Sequence, residues 1–419
     1  MNRSIHYWIG KKTLLGICLV YGLLAGLFFP PSVQAQTTNN EFWICTNATH
    51  AFLLNWGGYG ISNNPLDGSS QSNFDLNLGN VPDNGIIHIL PGKYSTLGGI
   101  KLRSGVHVLG SGMDVTTIQL LPGVADGTIM MINAGQGGIS TTNNLVSGLT
   151  LDCNYTPDSG SKSYGGIILE GTRHVISGVR LLNPSRMSSA SSEAWGLIIA
   201  NWNLKSSVSN VIENCVVSNF NYGTLGNLSA IGFLGGNGIS GASGVIRNNR
   251  IYGSVSNNPV IFGLLLTGDT VASGNYMNGV AVATRSEGAF TNIVFTNNII
   301  KCCSVAVDYF KRRYLNITFG GNQIELTNSV FNTMPVAFDL GSEDWNTGGQ
   351  NIKVTNNIVT YVGNSNDTPV FLYAIGLTNL TVLKNKFPQN FINYISNCSN
   401  IHIDSDSQPL DAPVLHSPM

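Results

Sequence analysis

Asparagine recurs through the second half of the chain in one local setting, two residues before an apolar position. The segments are Asn214-Cys215-Val216, Asn249-Arg250-Ile251, Asn275-Tyr276-Met277, Asn298-Ile299-Ile300, Asn322-Gln323-Ile324, Asn357-Ile358-Val359 and Asn385-Lys386-Phe387. Successive asparagines are 35, 26, 23, 24, 35 and 28 residues apart, and most follow a short alternating run such as Ile293-Val294-Phe295 or Ile352-Lys353-Val354. A repeat of that length with variable spacing is one coil of a β-solenoid, in which each coil packs only on its neighbours and surplus residues go into loops. Asn tolerates a left-handed turn, and its amide can bond the Asn of the next coil. The column is therefore predicted to form a ladder with a step of about 4.8 Å.

A second set of segments aligns between the first without gaps. It comprises Ile167–Glu170, Leu197–Ala200, Ile231–Leu234, Leu264–Thr267, Val280–Ala283, Val305–Asp308, Val336–Asp339 and Val370–Tyr373. The first and third positions are aliphatic or Phe in every row, and in a strand these share one face. Leu169, Ile199, Phe233, Val282, Val307, Phe338 and Leu372 are accordingly predicted to form one buried inner stack, with the second and fourth positions facing out. Leu264 lies only sixteen residues before Val280, so Val260–Gly263 is an alternative occupant of that row. A sandwich would need antiparallel hairpins with two-residue turns, and a βαβ fold would need helices between the runs. The sequence offers neither.

Composition agrees. Charged residues make up 10% of the chain, against about 25% in an ordinary soluble domain, while 42% are hydrophobic and 49 are Gly. With a net charge of -1 there is no basic stripe for nucleic acid. The N-terminus has the three parts of a signal peptide: Arg3, Lys11 and Lys12, then apolar Thr13 to Phe29, then Ser32-Val33-Gln34-Ala35. A retained membrane anchor is the rival reading, but the apolar run is short for one. The expected organisation is a signal peptide at 1–35, an N-terminal capping segment at 36–84, a β-helix at 85–405 and a flexible tail at 406–419. Outside the signal the cysteines are Cys45, Cys153, Cys215, Cys302, Cys303 and Cys398, open to either disulfides or buried free thiols.

Residues 85–120 carry a likeness. Ile86-Ile-His-Ile-Leu-Pro-Gly-Lys-Tyr94, Ile100-Lys-Leu-Arg-Ser-Gly-Val-His-Val-Leu-Gly-Ser-Gly112 and Thr116-Thr-Ile-Gln-Leu120 resemble the opening coils of the pectate-lyase superfamily, and Val146–Asn154 looks like a further coil. The resemblance spans about residues 55–405. It implies an all-β chain folded as a single-stranded right-handed parallel β-helix, in a group of polysaccharide lyases, polygalacturonase-like hydrolases and phage tailspike depolymerases. The Asn-Thr-Asp, Asp-Asp, Gly-His-Gly and Arg-Ile-Lys signatures of polygalacturonases are missing. So are the Arg-x-Pro-x-x-Arg and Trp-x-Asp-His patterns of pectate lyases and the Asp-Pro-His of alginate epimerases. No catalytic residue of the family carries over.

Chemistry therefore has to be sought in the outward fourth column: Glu170, Ala200, Leu234, Thr267, Ala283, Asp308, Asp339, Tyr373. Asp308 and Asp339 fall on consecutive coils, and two carboxylates that close raise each other's proton affinity. The pair suits acid–base catalysis or calcium binding; the plain alternative is two solvated surface carboxylates. Arg285 and the triplet Lys311-Arg312-Arg313 lie nearby in sequence, as do Glu343 and Trp345. In the catalytic reading Asp308, Asp339, Lys311 and Arg312 do the chemistry. Arg285, Arg313, Glu343 and Trp345 then bind substrate, since guanidinium groups grip carboxylates and Trp can stack on a sugar ring. His88, His107 and His174 are read as structural, and Trp195 and Trp202 as packing at coil ends.

Two functions fit. One is a secreted lyase or glycoside hydrolase acting on an acidic, uronate-containing polysaccharide; the other is a non-catalytic carbohydrate-binding or adhesion β-helix. Neither calls for nucleic acid, nor for a membrane once the signal is removed. Mass spectrometry of exported material is expected to show a mature chain beginning at Gln36, whereas full-length chain in a membrane fraction would establish the anchor.

Overall fold

The computed structural model describes residues 40–47, 60–133, 141–156, 162–186, 195–201, 207–222, 228–235, 241–253, 261–286, 290–309, 314–328, 334–341, 349–364 and 367–407. The predicted signal segment lies outside them. Each coil contributes three short strands, as in Thr270–Ser273, Tyr276–Asn278 and Val282–Ser286, and the next coil repeats them at Ile293–Thr296, Ile299–Cys303 and Val305–Asp308. Corresponding strands of successive coils pair in parallel, the first with the first, the second with the second and the third with the third. Parallel strands that return after every coil need no hairpins, which is why the sequence shows none.

The inner faces build one continuous core. Along the first strands Ile246, Ala272, Phe295, Phe319, Val354 and Val382 lie in register, and along the second strands Ile251, Met277, Ile300, Ile324 and Val359 do so. All are buried. Aromatic rings run on through the C-terminal coils: Phe319 and Phe338 have centroids 5.5 Å apart, Phe338 and Phe371 5.5 Å, and Phe371 stacks on Phe387 at 4.1 Å. At the N-terminal end, Glu41–Cys45 already pairs in parallel with Ile86–Ile89, and the helix Gln71–Gly79, capped by Ser70, packs Phe74 against Tyr94.

The third strands differ from the gap-free alignment. Leu264 pairs with Ile231 on one side but with Thr284 on the other, and Phe262 pairs with Val282. Both readings of the Leu264 row are thus half right: the strand Ile261–Leu266 meets the coil before in the register that sets Leu264 against Ile231, and the coil after in the register that sets Phe262 against Val282. From Leu265 to its register partner Arg285 is only twenty residues, the shortest coil in this region, and the alignment slips by two there. The single inner stack is consequently two. Leu169, Ile199 and Phe233 share one column, whereas Val307, Phe338 and Leu372 continue the column of Ile167, Leu197, Ile231 and Leu264. Val282 packs outside the main core with Phe262 and Val305. In the later rows the second position turns inward, so that Ala306, Ala337 and Phe371 join the core.

The asparagine column is the ladder the repeat predicts, displaced at its start. Asn249, Asn275, Asn298, Asn322, Asn357 and Asn385 are buried, and each Oδ1 from Asn275 onward accepts from the backbone N–H and the Nδ2 of the preceding Asn, at 2.9–3.1 Å. The second Nδ2 hydrogen goes to a main-chain carbonyl of the preceding coil, as from Asn322 to Phe295 at 3.0 Å. Asn214 is not a rung: Cys215 stands in the column, its N–H donating to Asn249 Oδ1 at 2.9 Å, while Asn214 precedes it at φ 54°. Left-handed backbone and ladder therefore belong to adjacent residues, with Asn248, Gly274, Asn297, Gly321, Asn356 and Lys384 holding the turn. Ser407 closes the ladder by accepting from Asn385 N and Nδ2, so the boundary drawn at 405 falls inside structured chain.

Replacing Asn322 by Ala would take a partner from the buried Asn298 N–H and from the Phe295 carbonyl, both on the preceding coil, each loss costing about 1–3 kcal/mol. Asn322→Ala is expected to lower the thermal midpoint by several degrees in circular dichroism. Asn316→Gly, at an exposed left-handed position, should stay close to wild type.

Candidate functional site

The third strands put Arg285, Asp308, Asp339, Tyr373 and Tyr394 in one outward column on five successive coils. Upstream of them the same column holds Ile168, Ile198 and Leu265, buried in a second apolar cluster to which Trp195 adds. The outer face of these strands thus passes from apolar to charged to aromatic along the helix axis.

Asp308 and Asp339 are register partners, as the sequence indicates. Parallel strands lie about 4.8 Å apart, so the carboxyls are near neighbours. Arg285 Nε stands 4.0 Å from Asp308 Oδ2, and its guanidinium lies over the Phe262 ring at 4.7 Å. Asp339 has no such cation among the described residues. Its Oδ1 is buried without a hydrogen-bond partner there, and burial, with repulsion from Asp308 second, pushes its pKa up to about 7. One coil on, Tyr373 and Tyr394 stack with centroids 4.8 Å apart and planes at 10°. The two carboxyls thus sit in unlike surroundings, one beside a fixed positive charge and one holding its proton toward neutrality.

Lys311, Arg312, Arg313, Glu343 and Trp345 lie outside the described residues, as does Trp202. Arg285 was placed beside the pair only by proximity in sequence; the two-residue slip brings it into the column itself, where Ala283 was expected. Tyr394 was missed because the last coil, Ile392–Ser396, breaks the apolar pattern of the rows: Asn393 pairs with Leu372 at a register irregularity. Calcium takes six to eight oxygens; among the described residues no group of three or more His, Cys, Asp or Glu stands together, and the Arg285 guanidinium is beside Asp308. The histidines are structural where their surroundings are defined. His88 bonds Glu41 at 2.6 Å and stacks on Trp43; His174 is buried, accepts the Asn144 N–H at Nδ1, and is pushed down to about 4 by desolvation. The six cysteines among the described residues are free thiols, and Cys45, Cys153, Cys215 and Cys303 are buried.

No family model matches the chain, and no curated protein matches it. Solved structures do. The Dettilon tailspike protein superposes with a TM-score of 0.56 at 14% identity, over 79% of this chain and 62% of that one. The tailspike protein of Escherichia coli bacteriophage HK620, solved in complex with a pentasaccharide, gives 0.54 at 14% identity, over 77% and 60%. The fold is a right-handed parallel β-helix. An Azotobacter vinelandii mannuronan C-5 epimerase A-module aligns over 80% of this chain and 91% of its own, at 17% identity and a TM-score of 0.46. This β-helix spans 62% and 60% of the two tailspikes' own length, and at such identities the likeness is one of fold.

The folded β-helix keeps the Asp339 proton up to about 7, whereas an unfolded carboxyl releases it near about 4. The native state binds more protons between those values, so this group's stabilisation is full at the acid end and lost as pH rises through 7. Asp339→Asn is expected to flatten that part of the pH profile and to melt above wild type at about pH 8, as read by thermal unfolding.

Proposed function

We propose that this β-helix is an exported polysaccharide hydrolase whose chain-cleaving site is the Asp308/Asp339 pair. The observation that carries the reading is the split environment of the two carboxyls. Asp339, with its pKa pushed to about 7, holds a proton to give, and Asp308 has the Arg285 guanidinium beside it, with Nε 4.0 Å from Oδ2. Glycosidases use such a division of roles, and the retaining kind needs its two carboxyls close together, which favours that course for register partners on adjacent strands. In the first step the Asp308 carboxylate bonds to the anomeric carbon. The glycosidic C–O bond breaks, and the leaving oxygen takes the Asp339 proton. In the second, water gives that proton back to Asp339 and its oxygen to the anomeric carbon, freeing Asp308.

Tyr373 and Tyr394 extend the column with aromatic surface, a common partner for sugar rings. The HK620 tailspike, of the same fold, was solved with a pentasaccharide, which supports a carbohydrate ligand. An acidic, uronate-containing polymer is favoured by the basic run Lys311-Arg312-Arg313 that follows Asp308 in sequence. The second reading, a carbohydrate-binding protein without catalysis, draws on the stacked tyrosines and the Arg285–Asp308 pair alone.

Incubation with uronate polymers, read by reducing ends and by absorbance of unsaturated products, separates the cases. Reducing ends without unsaturation are expected, falling as pH rises through 7. Loss of a general acid removes about 100- to 10,000-fold of rate, the drop expected of Asp339→Asn. Unsaturated products would make the protein a lyase, and full activity in both Asp308→Asn and Asp339→Asn would remove catalysis from this pair.

A further inference from the structure

A second ladder of side-chain amides runs along the outside of the helix, one turn away from the buried one. Asn292, Asn316, Asn351, Asn379 and Asn400 stand in left-handed conformation at the start of the first strand of successive coils, at φ 54°, 58°, 57°, 58° and 52°. Each donates from Nδ2 to Oδ1 of the residue one coil earlier: Asn400 to Asn379 at 3.0 Å, Asn379 to Asn351 at 2.8 Å, Asn351 to Asn316 at 2.9 Å and Asn316 to Asn292 at 2.9 Å. The row ends on a carboxylate, with Asn292 donating to Asp269 Oδ1 at 2.9 Å. Two residues further along each strand, Thr318, Lys353 and Thr381 form a parallel column. Between the columns lies an open groove lined by Asn316, Thr318, Asn351, Lys353, Asn379 and Thr381.

The chemistry of the groove has a sign. One hydrogen of each ladder amide is used within the row, and the other is free to donate, because an amide nitrogen carries two. The threonine hydroxyls can donate as well, and the Lys353 ammonium makes no ion pair among the described residues. No carboxylate lines the groove. Such a surface fits a ligand rich in acceptors and negatively charged. Its geometry is linear: donors repeat at the strand spacing of about 4.8 Å along the helix axis. A β-1,4-linked pyranose chain advances by nearly the same distance per sugar, so a polymer lying along the groove meets equivalent partners at each residue.

We propose that this face is a second glycan-binding site, which takes an extended uronate-containing chain parallel to the helix axis, with Lys353 opposite a sugar carboxylate. It lies on the first strands, whereas the Asp308/Asp339 column lies on the third, and it does not depend on that pair being catalytic. Such a site would hold the chain to an insoluble or long polymer independently of turnover.

Oligomannuronate, a β-1,4-linked uronate, with the β-1,4-linked cellohexaose as neutral control, should be titrated calorimetrically into the full chain carrying Asp339→Asn, so that cleavage does not intervene. Binding is expected for the uronate, weakening with salt as exposed charge pairs do. In that background Lys353→Gln should weaken it about tenfold, the loss of one charge-assisted hydrogen bond. Asn351→Gly, which keeps the left-handed turn but removes the amide, should weaken it as well with an unchanged circular dichroism spectrum. Affinity unaltered in both variants, or no uronate binding by the parent, would overturn the proposal. With an otherwise wild-type chain, Lys353→Gln should leave cleavage of short soluble oligomers intact, which keeps this site's failure distinct from that of the acid pair.

Discussion

An amide buried in a protein interior must find partners for two donors and two lone pairs, and in this helix the neighbouring coils supply all of them. Each ladder Asn accepts from the coil before, donates to the coil after, and takes a main-chain carbonyl with its remaining hydrogen. These bonds fix more than distance. A coil rotated by one residue would leave several buried polar groups unpaired and would turn every inward side chain out. The ladder thereby sets the registry of the first and second strands, and through them the turn from which the third strands depart. Among the described residues the third strands of the later coils carry no such ladder, and that is where the two-residue slip is tolerated.

That contrast explains what could be read from the residues. Parallel coils, the inward columns of the first and second strands and the Asn ladder all follow from local patterns repeated many times, so a single irregular coil cannot hide them. Asn214 was misread because Asn marks both the left-handed turn and the rung, and at the first coil only the turn residue is Asn. The third-strand stack was misread because apolar residues stand on both faces there: Ile198 and Leu265 face outward yet are buried. Periodicity reports polarity, and where the outer face is also apolar the two faces look alike.

The acid pair was legible and its surroundings were not. Asp308 and Asp339 share a column because each ends a matching row, a strictly local fact. The arrival of Arg285 in that column depends on the length of one coil, and the inequality of the two carboxyls depends on burial. Neither is a property of spacing. A pair drawn as symmetric in the sequence is therefore asymmetric in space, with a guanidinium beside one carboxyl and burial around the other.

The two amide rows point in opposite directions. In the buried ladder Nδ2 faces the C-terminal coils, as from Asn249 to Asn275, and in the exposed one it faces the N-terminal coils, as from Asn316 to Asn292. Aligned amides add their dipoles along a row, as peptide groups do along an α-helix. Here the Nδ2-to-Oδ1 bonds of one row run against those of the other over the coils that carry both. The positive end of the outer row meets the carboxylate of Asp269, and the N–H end of the inner row meets the hydroxyl of Ser407. Each row is thus closed by a polar side chain at its donor end, so that neither leaves an amide hydrogen unpaired where its asparagines stop.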